Sequence, residues 1–312
     1  MTEGGVSING LSKNYGLTQA LHGIQLEIRP GEVFGYIGPN GAGKTTTLKC
    51  IVGLIRDYEG EILLNGRPLS DGGSIHSIGY MPQSPRFVSW RTVHRALRLF
   101  GRLNGMQDQL LEERIDEVLQ MLGMEDYKDI PVTRLSGETL QKLGFAQAVL
   151  HCPSILILDE PMSLLDQGAR KTLRGIIRGL RDEGATVIFS SHILSDVQDI
   201  ADRVGIIQDG RILHVGPMED IKREMRATGM VDLELSVDPK IDINDVCGVS
   251  SVASLGPTSY RISIEDGQSS DVVIDEIIWN IMNSGGSVRS LMPVTRTLED
   301  IYMRYLAGGT DR

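Results

Sequence analysis

A chain of 312 residues has room for two compact units, or for one large unit with an appendage. Hydrophobic residues at 41 % and charged residues at 23 % describe a chain that folds, and a net charge of -10 repels the phosphate backbone of DNA or RNA, so no nucleic-acid partner is expected. Cys50, Cys152 and Cys247 lie too far apart to build a disulfide framework or a metal pattern, and no stretch reaches the roughly 18 apolar residues of a membrane span, so a reducing cytosol fits and the chain is not expected to cross a bilayer alone.

In chain order, Gln19 to Ile28 and Glu32 to Ile37 read as short strands around a Pro30-Gly31 turn, giving a β-rich opening region. Leu111, Ile115, Val118 and Leu122 fall on one helical face, as do Leu173, Ile176, Ile177 and Leu180 further on. The apolar runs Ile155 to Leu158 and Val187 to Phe189 lack alternation, as strands covered on both faces of a parallel sheet do. Strands alternating with helices predict an α/β domain over residues 1–226, with a helical subdomain over about 84–150. From Val231 the texture changes. Strand-like Val231 to Val237 and Tyr260 to Ile264, a helix over Val272 to Met282, a strand Val288 to Met292 and a short helix Leu298 to Leu306 predict a small α+β unit over 227–312.

The sharpest local signal is Gly38-Pro39-Asn40-Gly41-Ala42-Gly43-Lys44-Thr45, which satisfies G-x-x-x-x-G-K-[ST] between a predicted strand and a helix opening at Thr46. Glycines let the backbone curl so that successive N–H groups face one anion, with the positive end of the helix dipole behind them. Lys44 then neutralises the outer phosphates of a nucleoside triphosphate, and the Thr45 hydroxyl suits Mg²⁺.

The strand Ile155 to Leu158 ends in Asp159-Glu160, two carboxylates at the sheet edge where open α/β folds bind ligands. Asp159 is assigned to the metal. Glu160, projecting to the other side of an extended chain, is assigned to the attacking water, which favours a hydrolase.

Together these residues resemble the nucleotide-binding subunits of ATP-binding-cassette (ABC) transporters, over nearly all of Val6 to Met225. Leu135-Ser136-Gly137 is similar to the start of that family's signature, and Gln83 to the glutamine that links the nucleotide site to the membrane subunit and approaches the metal. Ser163-Leu164-Leu165-Asp166 resembles the loop between the two ATP sites, His192 the switch histidine at the γ-phosphate, and Tyr15 the aromatic that stacks on adenine. The resemblance implies a P-loop NTPase fold of the ABC type and an ATPase that uses ATP and Mg²⁺. It also implies a second ABC subunit completing each site through Ser136 and Gly137, and a transmembrane permease on a separate chain that holds the protein at the cytoplasmic face of the cell membrane. The tail resembles that of drug, antibiotic and polysaccharide exporters, including daunorubicin-resistance-type ATPases, which implies export. A soluble, non-transport ABC ATPase and an ATP-binding regulatory subunit of a heterodimer are the competing readings.

Two features depart from this frame. Glu138 stands where the family has a second glycine; it either repels the partner's triphosphate or turns to solvent. Arg86, Arg91, Arg95, Arg98 and Arg102 form a basic stretch without acids, which either reads acidic groups or lipid headgroups of a membrane partner or is a solvated face whose neighbours supply the acids.

Overall fold

The computed structural model describes residues 5–69, 77–226, 229–237, 242–265, 268, 270–294, 300, 301 and 303. The chain divides into two compact units, Met1–Met218 and Glu219–Arg312. The division falls where helix α7 (Met218–Arg226) begins, whereas the sequence reading placed it after that helix.

The first unit contains two sheets. Strands β1 (Val6–Tyr15), β2 (Thr18–Ile28), β4 (Glu59–Leu64) and β5 (Arg67–Pro68) form an antiparallel sheet in the order β2-β1-β4-β5. The second sheet takes β3 (Val33–Ile37), β6 (Ile78–Met81), β7 (Ile155–Leu158), β8 (Thr186–Ser191), β9 (Arg203–Gln208) and β10 (Arg211–Pro217) in the order β10-β9-β3-β8-β7-β6. All its pairs are parallel except β9 with β10. Every residue of β3, β7 and β8 is buried, which is why these runs carry no polar alternation.

The register of the parallel strands decides where chemistry can occur. Met81 pairs with Leu158, Leu158 with Phe189 and Ile37 with Ser191, so the segments after β3, β7 and β8 emerge side by side at one edge. Helix α1 (Lys44–Ile51) starts at Lys44, two residues before the expected opening, because Gly43 already caps it.

Helices α2 (Val93–Leu103), α3 (Asp108–Met121) and α4 (Gly137–Val149) follow β6. Val93, Ala96 and Leu97 of α2 pack inward, as do Leu111, Ile115 and Val118 of α3. The arginine stretch finds its acids on α3: Arg98 lies 3.1 Å from Glu112, and Arg102 lies 2.7 Å from Asp108. Arg91 precedes α2 and stacks on Trp90 instead. Helix α4 sits so close to β6 that a Cβ on Gly79 would lie 2.1 Å from the Ala148 carbonyl oxygen. Helix α5 (Gln167–Asp182) buries Leu173 and Ile177, and α6 (Leu194–Gln198) follows β8.

The second unit holds β11 (Met230–Val237), β12 (Val249–Gly256), β13 (Ser259–Ile264) and β14 (Ser287–Pro293) in the antiparallel order β12-β13-β11-β14. Val273, Ile277 and Ile281 of α8 (Ser270–Asn283) share its core with Val231, Leu233, Leu235 and Ile262. The expected helix Leu298 to Leu306 lies for the most part outside the described residues.

Because the nearest atom a methyl group meets there is a backbone oxygen, with the Pro153 and Leu156 side chains close behind it, Gly79→Ala should force α4 away from the sheet and cost about 1–3 kcal/mol. A chemical-unfolding midpoint equal to the wild type would contradict that packing.

Candidate functional site

The loop after β3 lines an open cleft of about 280 Å³. Pro39, Asn40, Gly41, Gly43, Lys44, Thr45, Thr46, Gln83 and Glu160 border it, with Ala20 from β2. Gly43 has φ 107, and a Cβ there would lie 2.7 Å from Leu21 Cδ2, so both backbone and space demand glycine. Ala42 is buried, while the Gly38 carbonyl accepts a hydrogen bond from Lys44 Nζ at 2.6 Å. Lys44 Nζ also donates to the Pro39 carbonyl at 3.1 Å. Burial holds the Lys44 ammonium below its ordinary pKa, against the opposing pull of Glu160 and Asp159.

Glu160 faces this ammonium. Its Oε1 lies 3.5 Å from Lys44 Nζ, an ion-pair separation rather than a short hydrogen bond, and its Oε2 lies 2.8 Å from His192 Nδ1. Only 5 % of Glu160 is exposed, so its one carboxylate is fixed between a lysine and a histidine from two other elements. The separation from Asp159 does not come from strand alternation, as the sequence suggested: Glu160 has φ 51, in the left-handed region, so the chain has already turned out of β7. A non-glycine residue there carries strain on the order of 1–3 kcal/mol, of the kind found where function holds a backbone in place.

Ser190, at the end of β8, ties the two carboxylates together. Its hydroxyl donates to Asp159 Oδ1 at 2.6 Å and accepts from the Glu160 backbone N–H at 2.8 Å. Asp159 is 1 % exposed, and its Oδ2 has no hydrogen-bond partner. A buried, unpartnered carboxylate oxygen beside a phosphate loop fits a hard cation. Among the described residues no group of three or more His, Cys, Asp and Glu side chains could hold a metal ion. A cation would thus combine Asp159 with the neutral oxygens of Thr45 and Gln83 and with phosphate oxygens, as suits Mg²⁺.

The remaining predicted residues lie elsewhere. Tyr15 is at the end of β1, half exposed, with Lys13 Nζ 5.1 Å from its ring centroid, and it does not line the cleft. Ser136 caps α4, its hydroxyl accepting from the Thr139 N–H at 3.1 Å, and Gly137 opens that helix. A Cβ on Gly137 would lie 3.5 Å from Leu164 Cδ1, which brings the signature segment and the Ser163-to-Asp166 loop together. Glu138 pairs with Lys142 at 2.8 Å along its own helix, so its charge is neutralised within the chain. A larger cavity of about 350 Å³ between α4 and α5, with Phe145 and Leu173 among its walls, is lined by Glu138, Gln141 and Asp166 but by no phosphate-loop residue and by neither Asp159 nor Glu160.

Sequence reasoning overlooked Ser190 and Gln141. The β7–β8 register that sets Ser190 against Asp159 is invisible in one dimension, although its place two residues before His192 was a usable hint. Gln141 is 2 % exposed and donates through Nε2 to the Glu160 carbonyl at 3.0 Å; the signal was a polar residue on an otherwise apolar helix face.

This architecture defines a phosphate-loop nucleoside triphosphatase. Residues 21–163 match the family described as ABC transporter. The chain is 33 % identical over 301 residues to the ABC transporter ATP-binding protein YxlF of Bacillus subtilis, covering 96 % of this chain and 98 % of that one. A solved ATP-binding subunit of an ABC transporter matches with TM-score 0.65 at 30 % identity, covering 70 % of this chain and 92 % of the other. The structure of cbiO1 from Clostridium perfringens, part of the ABC transporter complex cbiONQ, matches with TM-score 0.61 at 28 % identity over 69 % and 89 % of the two chains. The chain belongs to the ATP-binding proteins of ABC transporters, and its cassette is an ATPase of that class.

Ser190→Ala leaves the Glu160 N–H without its buried acceptor and unlinks Asp159, so kcat should fall about 10–100-fold. Steady-state phosphate release measures it, and an unchanged kcat would remove Ser190 from the site. Glu138→Gly, in contrast, should leave the ATPase rate within about twofold, because a partly exposed ion pair contributes little.

Proposed function

We propose that the chain binds ATP with Mg²⁺ in the cleft, hydrolyses it, and transmits the resulting movement to a permease on a separate chain, in the direction of export. The observation that carries the chemistry is the Glu160 carboxylate held between Lys44 and His192 at the mouth of the phosphate loop.

The loop N–H groups and Lys44 bind the phosphates, and their positive field offsets charge that develops during transfer. Thr45, Gln83 and Asp159 would hold Mg²⁺, which would supply charge neutralisation when bound. Glu160 orients the attacking water and accepts its proton at one carboxylate oxygen, while His192 steadies the other. Lys44 exchanges its contact with Glu160 for phosphate oxygens, which frees the carboxylate to act as base.

Two cassettes pair head to tail, so that Ser136 and Gly137 of one face the phosphate loop of the other and Tyr15 stacks on adenine. A separate permease would hold the chain at the cytoplasmic face of the cell membrane; among the described residues no helix is long and apolar enough to cross a membrane. The cbiONQ membership of a solved relative supports such an assembly. Export rests on the likeness of the tail to exporter subunits, and the tail is included in the match to YxlF.

Glu160→Gln keeps the size and the contacts to Lys44 and His192 but removes the basic carboxylate. Phosphate release should drop by about 100-fold or more while ATP still binds, and light scattering with ATP and Mg²⁺ should show a trapped dimer. Hydrolysis at the wild-type rate by this variant would overturn the assignment of Glu160.

A further inference from the structure

The backbone of Glu160 is held as tightly as its side chain. Its N–H is fixed by Ser190 from β8, and its carbonyl accepts from Ser163 Oγ at 2.9 Å, Ser163 N at 3.2 Å and Gln141 Nε2 at 3.0 Å. Ser163 belongs to the same turn, so its bonds travel with Glu160 and anchor it to nothing else. Among the described residues, Gln141 is the one donor to this carbonyl that comes from a separate element, helix α4. Its amide also reaches Ser163 Oγ at 3.1 Å and the Pro161 carbonyl at 3.4 Å, so one buried side chain grips the turn at three points.

We propose that Gln141 is a positioning residue for the hydrolytic step: it holds the Glu160–Pro161 peptide so that Glu160 stays at positive φ with its carboxylate aimed at the cleft. The inference rests on the assignment of Glu160 as the base and goes beyond it. A glutamate free of this tether relaxes toward the ordinary backbone regions, and such a rotation swings the carboxylate away from Lys44 and His192. Gln141 lies one turn into α4, the helix that Ser136 caps. Displacement of the signature end of α4 therefore acts directly on the peptide that carries the base. The coupling runs through one buried amide and through no bound ligand.

The test compares the full-length wild type with Gln141→Met, which keeps length and apolar volume and removes both N–H donors. With ATP and Mg²⁺, kcat should fall about tenfold or more, while KM for ATP stays within about twofold and the melting temperature is nearly unchanged, because only the reacting geometry is lost. Introduced into Glu160→Gln, the same substitution should lower the residual rate by less than about twofold, since the group it positions is already disabled. A wild-type kcat in folded Gln141→Met overturns the proposal. So does a raised KM with a lowered melting temperature at constant kcat, the mark of a merely structural role. Should Gln141→Met not fold, Gln141→Asn keeps the amide one methylene short of the turn. It should show the same loss of kcat at constant KM, and wild-type turnover in it overturns the proposal equally. Hydrolysis persisting in Glu160→Gln alone would instead refute the assignment of the base and leave a distinct signature from failure of the tether.

Discussion

A carboxyl group that is 5 % exposed is tolerable only with polar partners, and Glu160 has two, Lys44 at 3.5 Å and His192 at 2.8 Å. Much of the cassette can be understood from the requirement that these three side chains meet. Each follows a separate strand, Lys44 at the start of α1 beyond the loop after β3, Glu160 just after β7 and His192 just after β8, so they converge only if these strands are adjacent, parallel and in a register that brings their carboxyl ends to one edge. Covering that sheet on both faces leaves β7 wholly apolar and confines the polar residues of β8 to its ends, at Thr186, Ser190 and Ser191. The lysine carries its own compensation in the form of two loop carbonyls, so burial of the pair does not depend on Coulomb attraction alone.

What the sequence disclosed and what it concealed divide along a physical line. The phosphate loop was legible because its glycines, lysine and threonine are contiguous, and backbone geometry over so short a span depends little on the rest of the chain. Strand β7 was legible for the opposite reason: complete burial erases polar alternation and leaves Ile155 to Leu158 as an uninterrupted apolar run. Strand β12 escaped notice because its Ser-rich, largely exposed edge position leaves neither an apolar run nor alternation. The arginine stretch could not be interpreted from its own segment, since Asp108 and Glu112 lie on the next helix. Ser190 was concealed by strand pairing and Gln141 by the packing of α4 on the sheet, both long-range effects. The left-handed turn at Glu160 has no local marker at all, being imposed by bonds from β8 and α4.

The second unit follows simpler rules. Val231, Leu233 and Leu235 alternate inward along β11, and the residues between them meet solvent with charge partners: Asp232 pairs with Arg261 at 2.7 Å, and Glu234 with Arg289 at 3.0 Å. The Arg261 guanidinium beside Asp232 holds its carboxyl below the usual carboxylate range. Such cross-strand pairs contribute modestly at a surface, and they also fix register, because a slip by one residue would bring these charges into the apolar core.

Leu164 shows what an isolated cassette leaves unfinished. It is 70 % exposed and has φ 65, so a bulky apolar side chain is displayed to water from a backbone conformation that leucine avoids. Neither the solvation cost nor the conformational cost is recovered inside the described part of the chain. The solvation cost would be recovered if a second surface covered the loop, and the neighbouring Gly137 lies in the same patch. The backbone cost is already met in the monomer and would not be incurred again on association, so the tightness of a pair would depend on how well the loop is preformed as much as on the area it covers.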